Sequence, residues 1–356
     1  MTFARRLALP AAALGLALAG RELLRRGHPL ELQGQVVLIT GGSRGLGYAL
    51  ARELAGRGAR LAICARNEGP LEQARRELAA MGADVLAARC DVADREQVER
   101  FVRQATERFG GVDVLVNNAG VITVGPLQAQ TPRDFEEAMG VMFWGAVYPT
   151  LAVLPQMLSR KRGRIVNITS IGGKVSVPHL LPYNCAKFAA VGFSEGLRAE
   201  LAKEGIGVVT VVPGLMRTGS HVNALFKGRH HAEFTWFGLG ASLPVTSLSA
   251  ETAARQIVEA LRRDDAEVLL TWQAGLLARL HGLFPGLSTE LLGLANRFLP
   301  APGGVGQQRV TGKESRTPVS ESPLTALSRE AARELHQEER EPARRRGGGA
   351  RGRTRR

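Results

Sequence analysis

The sequence predicts an α/β fold that is doubly wound around a central, mostly parallel seven-stranded sheet. Between residues 31 and 270, short apolar segments rich in β-branched residues alternate with longer segments of helical periodicity. Parallel strands joined by helical crossovers place helices on both faces of such a sheet. For a chain of 356 residues, one α/β domain of about 250 residues fits this alternation better than two domains.

The alternation gives approximate bounds for the main elements. The strands are expected near residues 35–40, 59–65, 83–90, 112–117, 163–169, 206–212 and 267–271. The two longest helices are expected near residues 132–160 and 183–203. Each strand is a short apolar run, as buried parallel strands usually are.

A glycine-rich loop follows the first predicted strand. The apolar run QVVLIT ends at Thr40, and Gly41 to Gly47 then read GGSRGLG before a helical segment. A strand, a glycine loop and a helix in this order are the context of a dinucleotide site of the Rossmann fold. The glycines let a pyrophosphate approach the backbone, and the helix N-terminus adds N–H groups and partial positive charge. The spacing is GxxxGxG rather than the more usual GxGxxG.

A second motif combines Ser170, Tyr183 and Lys187. Tyr183 and Lys187 are four residues apart in the run YNCAK, so on a helix they share one face. The pKa of a phenol is about 10, and a neighbouring cation lowers it by favouring the phenolate. Ser170 follows the predicted strand IVNIT, at the sheet edge where ligands bind. The three residues predict a site that moves a proton on or off a carbinol oxygen.

These motifs resemble the classical branch of the short-chain dehydrogenase/reductase family. The matching stretches are TGGSRGLG from Thr40, NNAG from Asn117, Ser170 with YNCAK, and Pro213-Gly214 with Thr218. The resemblance covers about residues 31–270. It implies an NAD(P)(H)-dependent oxidoreductase that interconverts a carbonyl and a secondary alcohol of a small molecule, and that forms a homodimer or homotetramer.

The resemblance also implies a role for each motif residue. Tyr183 would be the general acid/base, Lys187 would tune it and hold the nicotinamide ribose, and Ser170 would orient the substrate oxygen. The implied cofactor-binding residues are Gly41, Ser43, Arg44, Gly45, Leu46, Gly47, Arg66, Asp91, Val92, Asn118, Ala119, Gly120, Tyr183, Lys187, Pro213, Gly214 and Thr218. No metal site is predicted.

The end of the second predicted strand favours NADP(H) as the cofactor. NAD-preferring sites have an acidic residue near this position, whereas arginine suits a 2′-phosphate. Here Ala65 stands in the acidic position, Arg66 follows it, and Arg44 lies in the glycine loop. Two guanidiniums can clamp a phosphate through charge-assisted hydrogen bonds. NADP(H) is therefore favoured, with NAD(H) as the alternative.

One position departs from the family pattern. Where the family commonly has an asparagine that contributes to a water-linked proton relay, this chain has Met142, which cannot make the hydrogen bonds of an amide. A backbone carbonyl and an ordered water can serve the relay instead, which leaves a working enzyme. The competing interpretation is a membrane-associated NADP-binding sensor or scaffold with little catalytic turnover.

The excess positive charge lies at the two ends of the chain. The formal net charge is +14, yet residues 31–300 carry 29 basic and 25 acidic side chains. The basic tail, residues 301–356, is rich in Gly, Pro, Ser, Glu and Arg and is predicted to be disordered. No specific nucleic acid is expected as a partner. Three cysteines, Cys64, Cys90 and Cys185, do not make a disulfide framework and indicate a reducing compartment.

Two apolar segments flank the predicted domain. Within residues 1–30, Leu7 to Gly20 is an apolar run flanked by arginines, shorter than the roughly 20 residues of a spanning helix. It is interpreted as an anchor on the cytoplasmic face of a membrane, with an interfacial helix, a cleaved signal and a packed helical extension as alternatives. Without an anchor the protein would be cytoplasmic. The leucine-rich extension, 271–300, either covers the substrate pocket or meets a membrane, and both suit a lipophilic substrate.

Overall fold

The computed structural model describes residue 20, residues 29–243 and residues 247–338. The predicted N-terminal anchor lies outside the described residues, apart from Gly20. The end of the basic tail, from residue 339, also lies outside them.

Seven parallel strands form the central sheet. They are β1 (Val36–Thr40), β2 (Arg60–Ala65), β3 (Val85–Arg89), β4 (Val114–Asn117), β5 (Gly163–Ile168), β6 (Ile206–Val212) and β7 (Glu267–Leu269). Their spatial order is β7-β6-β5-β4-β1-β2-β3, and every neighbouring pair is parallel. The order reverses between β1 and β4, which is where open α/β sheets bind their ligands. The predicted fold class is confirmed.

Helices cover both faces of the sheet. The helices of the described residues are α1 (Gly45–Ala55), α2 (Glu68–Ala80), α3 (Arg95–Phe109), α4 (Pro132–Met139), α5 (Gly145–Arg160), α6 (Leu181–Leu201), α7 (His230–Ser242), α8 (Ala250–Arg263), α9 (Trp272–Leu283), α10 (Pro285–Asn296) and α11 (Ala326–Glu334). Alternate residues of β1 point to opposite layers, as the strand period of two requires. Val37 and Ile39 join the core of α1 and α8, whereas Val36 and Leu38 join that of α3 and α5.

The long helix predicted at residues 132–160 contains an irregular turn. Gly140–Trp144 forms a π-helical turn that joins α4 to α5 and carries Met142; such turns occur often at functional sites. Within the described part of the chain, Pro132–Arg160 is the one helix with the length and apolar composition of a membrane span. Half of its most apolar window is buried inside the domain, as in the core helix of a soluble fold.

The prediction of disorder is wrong for residues 301–338. Val310–Thr311 pairs with Leu225–Phe226, Arg309 binds the Asp134 carboxylate on α4, and Leu335 is fully buried in the core of β1 and α1. Composition misled here because the tail as a whole has few apolar residues. The few that it has are buried by contacts with residues far away in sequence, which no local pattern reveals.

Candidate active site

One cavity at the carboxyl edge of the sheet contains all the candidate residues. Its volume is about 290 Å³, at the lower end of the range of ligand pockets. Every catalytic and cofactor-binding residue predicted from the sequence lines it. These residues come mainly from the loops after β1 to β6, because parallel strands bring their carboxyl ends to one edge.

The glycine loop forms a cradle that side chains would fill. Gly41 has a φ of +68°, a left-handed conformation that favours glycine. A Cβ at Gly47 would clash with the carbonyl oxygen of Gly41. Asn118 fixes the loop to the end of β4, since its Nδ2 donates to Thr40 O at 3.0 Å and to Gly41 O at 3.1 Å. The cradle opens at the N-terminus of α1, so these residues fit the pyrophosphate of a dinucleotide.

Helix α6 carries Tyr183 and Lys187 into the same cavity. Tyr183 is half-buried and Lys187 is buried. Lys187 Nζ lies 5.8 Å from the centre of the Tyr183 ring and donates a hydrogen bond to Ile168 O, at the end of β5, at 2.8 Å. The lysine therefore ties the helix to the strand that leads to Ser170.

The loop after β5 sets the position of Ser170. Ser170 Oγ accepts a hydrogen bond from the Gly172 N–H at 3.0 Å. The Ile171 N–H donates to Pro213 O at 2.8 Å, which joins this loop to the one after β6. A Cβ at Gly173 would lie 2.5 Å from Lys187 O, so only glycine lets the loop pack this closely against α6.

Burial dominates the acid–base properties of the catalytic candidates. It raises the pKa of Tyr183 above the usual 10.0, while the hydrogen bond with Ser170 acts in the opposite direction. Burial lowers the pKa of Lys187 to about 8, because a low-dielectric site disfavours the ammonium. The lowering of the Tyr183 pKa by Lys187 therefore stays a prediction.

Arg44 and Arg66 line the cavity together, beside Asn67 and Pro70. The pKa of Arg44 is lowered first by burial and then by the positive charge of Arg66, so the two guanidiniums are close enough to repel each other. Among the described residues, neither side chain forms an ion pair. Two adjacent cations without a carboxylate partner are suited to an anion.

Met142 is buried beside a second, very small cavity. This space of about 10 Å³ is also lined by Asn117, Asn167 and Ile168, and it is close to the size of one water molecule. Asn117 Nδ2 donates to Thr150 and to Asn167, whereas its Oδ1 has no hydrogen-bond partner among the described residues. Ile168, which lines this small cavity, also accepts a hydrogen bond from Lys187. Polar groups therefore connect the lysine to the cavity, although position 142 has no side-chain amide.

The cavity also contains residues that sequence reasoning missed. They include Ile122, Val141 and Gln337. Ile122 lies just after the NNAG motif and Val141 directly precedes Met142. Their positions in the sequence could therefore have indicated that they line the cavity. Gln337 lies in the segment predicted to be disordered and belongs to no motif, so only the tertiary structure reveals it.

Comparisons with known proteins agree with this architecture. A family profile described as short chain dehydrogenase matches residues 35–226. A dehydrogenase/reductase SDR family protein 7-like of Anopheles gambiae is 34% identical over 74% of this chain and 83% of its own length.

Two similar solved structures are complexes with a dinucleotide cofactor. A short chain dehydrogenase/reductase of Burkholderia phymatum in complex with NAD has a TM-score of 0.67 and 28% identity, over 72% of this chain and 96% of that one. A variant of actinorhodin polyketide ketoreductase with NADPH has a TM-score of 0.61 and 31% identity, over 68% of this chain and 97% of that one. These comparisons indicate NAD(P) binding and do not separate the two cofactors.

Proposed function

The chain belongs to the short-chain dehydrogenase/reductase family, and from this premise we propose that it is an NADP(H)-dependent enzyme that interconverts a carbonyl and a secondary alcohol of a lipophilic substrate. The observation that carries the proposal is that Ser170, Tyr183 and Lys187 line the same cavity as the glycine loop. A proton-transfer group and a dinucleotide cradle are therefore within reach of one small molecule.

The proposed roles are those that the family resemblance implies for these residues. The glycine loop, Gly41 to Gly47, would hold the dinucleotide, which would supply or accept the hydride at the substrate carbon. During reduction the Tyr183 hydroxyl donates its proton to the carbonyl oxygen, and during oxidation the phenolate removes the proton of the alcohol. The Ser170 hydroxyl donates to the same substrate oxygen and holds it near the phenol. When protonated, Lys187 stabilises the phenolate by its charge.

The preference for NADP(H) is supported by Arg44 and Arg66. Both guanidiniums line the cavity at the end of β2, and Ala65 leaves no carboxylate there to bind a ribose 2′-hydroxyl. A 2′-phosphate would relieve the repulsion between the two cations, whereas a 2′-hydroxyl would not. The preference therefore rests on charge complementarity.

A lipophilic substrate is supported by the apolar surroundings of Tyr183. Tyr183 packs against a cluster that includes Phe226, Phe234 and Phe237. Ile122, Met216 and Ala224 line the cavity itself. Burial of apolar substrate atoms against these side chains is favourable at about 25 cal/mol per Å².

The test is hydride transfer with a panel of apolar ketones and alcohols. The change in nicotinamide absorbance monitors the reaction, with NADP(H) and with NAD(H) in turn. The proposal expects turnover with NADP(H) that requires Tyr183. The sensor or scaffold interpretation is motivated by Met142, and it expects tight NADPH binding without turnover on any compound of the panel. Wild-type protein that binds NADPH but reduces nothing would therefore favour the second function.

We further propose that the protein associates with a membrane surface through the α9–α10 hairpin, Trp272–Leu283 and Pro285–Asn296. Its apolar side chains are largely exposed, for example Leu283 at 71% and Leu287 at 61%. None of the described residues that line the active-site cavity comes from it, which favours contact with a membrane over a role as a pocket cover. Arg279 in the hairpin and Arg297 directly after it outnumber the single acid, Glu290, which suits an anionic lipid interface.

Vesicle flotation of the full chain tests the membrane proposal. Vesicles of phosphatidylcholine with phosphatidylserine should bind the wild type, and the double variant Leu287→Lys/Leu291→Lys should bind more weakly. Leu127→Lys is the matched control, because Leu127 is an equally exposed leucine far from the hairpin in sequence. Equal flotation of the wild type and the double variant would refute a role for the hairpin.

We also propose a homo-oligomer formed through α5 and α6. Trp144 directly before α5, Leu151 within α5 and Phe188 on α6 are exposed apolar side chains. An isologous contact would bury them against the same helices of a second copy. Light scattering should give a dimer or tetramer for the wild type and smaller particles for Leu151→Arg, with Leu127→Arg unchanged. A monomeric wild type would exclude this assembly.

A further inference from the structure

We propose that the C-terminal segment, residues 326–338, forms a wall of the dinucleotide cavity and that the side-chain amide of Gln337 donates to the phosphates of the cofactor. The inference rests on the proposed function. It concerns a part of the chain that lies well beyond the family match, which ends at residue 226.

The C-terminal segment is anchored in the domain. Helix α11 passes directly over the loop after β6, where a Cβ at Gly219 would collide with Ala332. Leu335 is fully buried in the main core together with residues of β1 and α1. The last residues of the segment are therefore held at the carboxyl edge of the sheet.

His336 joins this segment to three parts of the cofactor-binding half. Its Nδ1 lies 3.1 Å from Ser43 O in the glycine loop, and its Nε2 lies 3.0 Å from Glu77 Oε2 on α2. Its ring lies 4.2 Å from that of Tyr48 on α1, centre to centre. Because Tyr48 also donates to Glu77, His336 completes a small network that fixes its neighbour Gln337.

Gln337 lies over the first turn of α1. The Gly45 N–H donates to Leu335 O at 2.9 Å, and a Cβ at Gly45 would be 2.6 Å from Gln337 Nε2. This turn is the part of the fold that receives the pyrophosphate. Glycine at position 45 thus leaves room for the amide of Gln337. It also allows the left-handed backbone found there, with a φ of +57°.

The orientation of the Gln337 amide is fixed by Asn223. Asn223 Nδ2 donates to the backbone oxygen of Gln337 and to its Oε1, both at 2.8 Å. Because only the nitrogen of an asparagine amide can donate, the oxygen of Gln337 must face Asn223. Its Nε2 is then the atom presented to the cavity that Gln337 lines, and an N–H donor opposite a phosphate makes a charge-assisted hydrogen bond.

The experiment measures dinucleotide affinity by calorimetry in the full-length protein. NADPH is one probe, and ADP-ribose, which has the pyrophosphate but no nicotinamide, is the other. The variants are Gln337→Ala, which removes the donor, and Gln337→Glu, which places a carboxylate near the phosphates. Gln308→Ala and Gln308→Glu are matched controls, since Gln308 is exposed elsewhere in the C-terminal region. Thermal melting verifies that each variant is folded.

We expect Gln337→Ala to weaken both probes about tenfold, as the loss of one charge-assisted hydrogen bond does. Gln337→Glu should weaken them further, and both controls should match the wild type. Folded Gln337 variants with affinities within twofold of the wild type would overturn the inference. Tighter binding would also overturn it, because the segment would then block the site.

These affinities, taken together with the hydride-transfer test, separate this inference from the proposed function. Wild-type protein that binds both probes with full dependence on Gln337, yet transfers no hydride, overturns the enzymatic function alone. If the wild type transfers hydride and the Gln337 variants bind the dinucleotides as tightly as the wild type does, the inference alone is overturned. A wild type that binds neither NADPH nor ADP-ribose overturns both.

Discussion

Lys187 Nζ donates a hydrogen bond to the carbonyl oxygen of Ile168 at 2.8 Å. This contact joins the helix that carries the catalytic tyrosine candidate to the strand that ends just before Ser170. It also gives the buried lysine a polar partner, although position 142 has a methionine instead of an amide. A proton relay through Lys187 would therefore have the backbone oxygen of Ile168 beside the lysine.

Replacing Tyr183 with phenylalanine should slow hydride transfer strongly without loss of cofactor binding. General acid–base catalysis contributes about 10²- to 10⁴-fold to rates, so kcat should fall by about that factor while the Kd for NADPH changes little. Tyr148→Phe is the control, because Tyr148 lies on α5, stacked on Trp144. Steady-state kinetics with an accepted ketone provide the measurement, and full activity of Tyr183→Phe would contradict the proposed mechanism.

Lys187→Met should stabilise the cofactor-free protein at pH 7. Burial lowers the pKa of Lys187 to about 8, against about 10.4 in an unfolded chain, which corresponds to a penalty of about 3 kcal/mol on the buried charge. The lost hydrogen bond to Ile168 offsets about 1 kcal/mol of this gain. Urea unfolding should thus give a free energy about 2 kcal/mol higher than for the wild type.

The pH dependence of this difference has a defined sign. Below pH 8 the lysine is protonated in both states, and the whole penalty is present. Between about pH 8 and 10 the unfolded chain binds more protons than the folded one, so the stability of the wild type rises with pH. The advantage of Lys187→Met should shrink over that range. Lys203→Met, at an exposed lysine, should show no such trend.

Arg66→Ala should reverse the cofactor preference. Loss of one guanidinium from a phosphate clamp should weaken NADPH binding by about ten- to a hundredfold, while NADH, which lacks the 2′-phosphate, should be little affected. Fluorescence titration with both dinucleotides gives the ratio of the Kd for NADH to the Kd for NADPH. Arg76→Ala removes an exposed arginine of α2 that pairs with Glu72 and should leave the ratio unchanged. Equal losses for NADPH and NADH would show that Arg66 does not bind the 2′-phosphate.

Met142 allows a direct test between the two functions. If the carbonyl of Ile168 and a water serve the relay, Met142→Leu should keep kcat within about twofold. Because the two side chains have similar volumes, it should also cost less than about 1.5 kcal/mol of stability. Met142→Asn should also leave kcat near the wild-type value while lowering stability through a buried amide. A large gain in turnover for Met142→Asn would instead mean that methionine has made this site a poor catalyst.

Much of the site could be predicted from the sequence because its motifs are local. Gly41 to Gly47 follow a short apolar strand, and Tyr183 and Lys187 share a helical face. Both relationships depend on periodicity over a few residues. Parallel strand order then brings separate loops to one edge, so residues as distant as Arg66 and Thr218 line one cavity.

The sequence by itself therefore determined the sheet, the glycine loop and the set of candidate catalytic residues. Only the tertiary structure decided that Lys187 binds Ile168, that burial raises the pKa of Tyr183, and that the C-terminal segment reaches the glycine loop. His336 and Ser43 are 293 positions apart, and neither lies in a pattern that indicates the other. Burial and hydrogen bonding between distant segments depend on packing in three dimensions, whereas composition and periodicity report only local preferences.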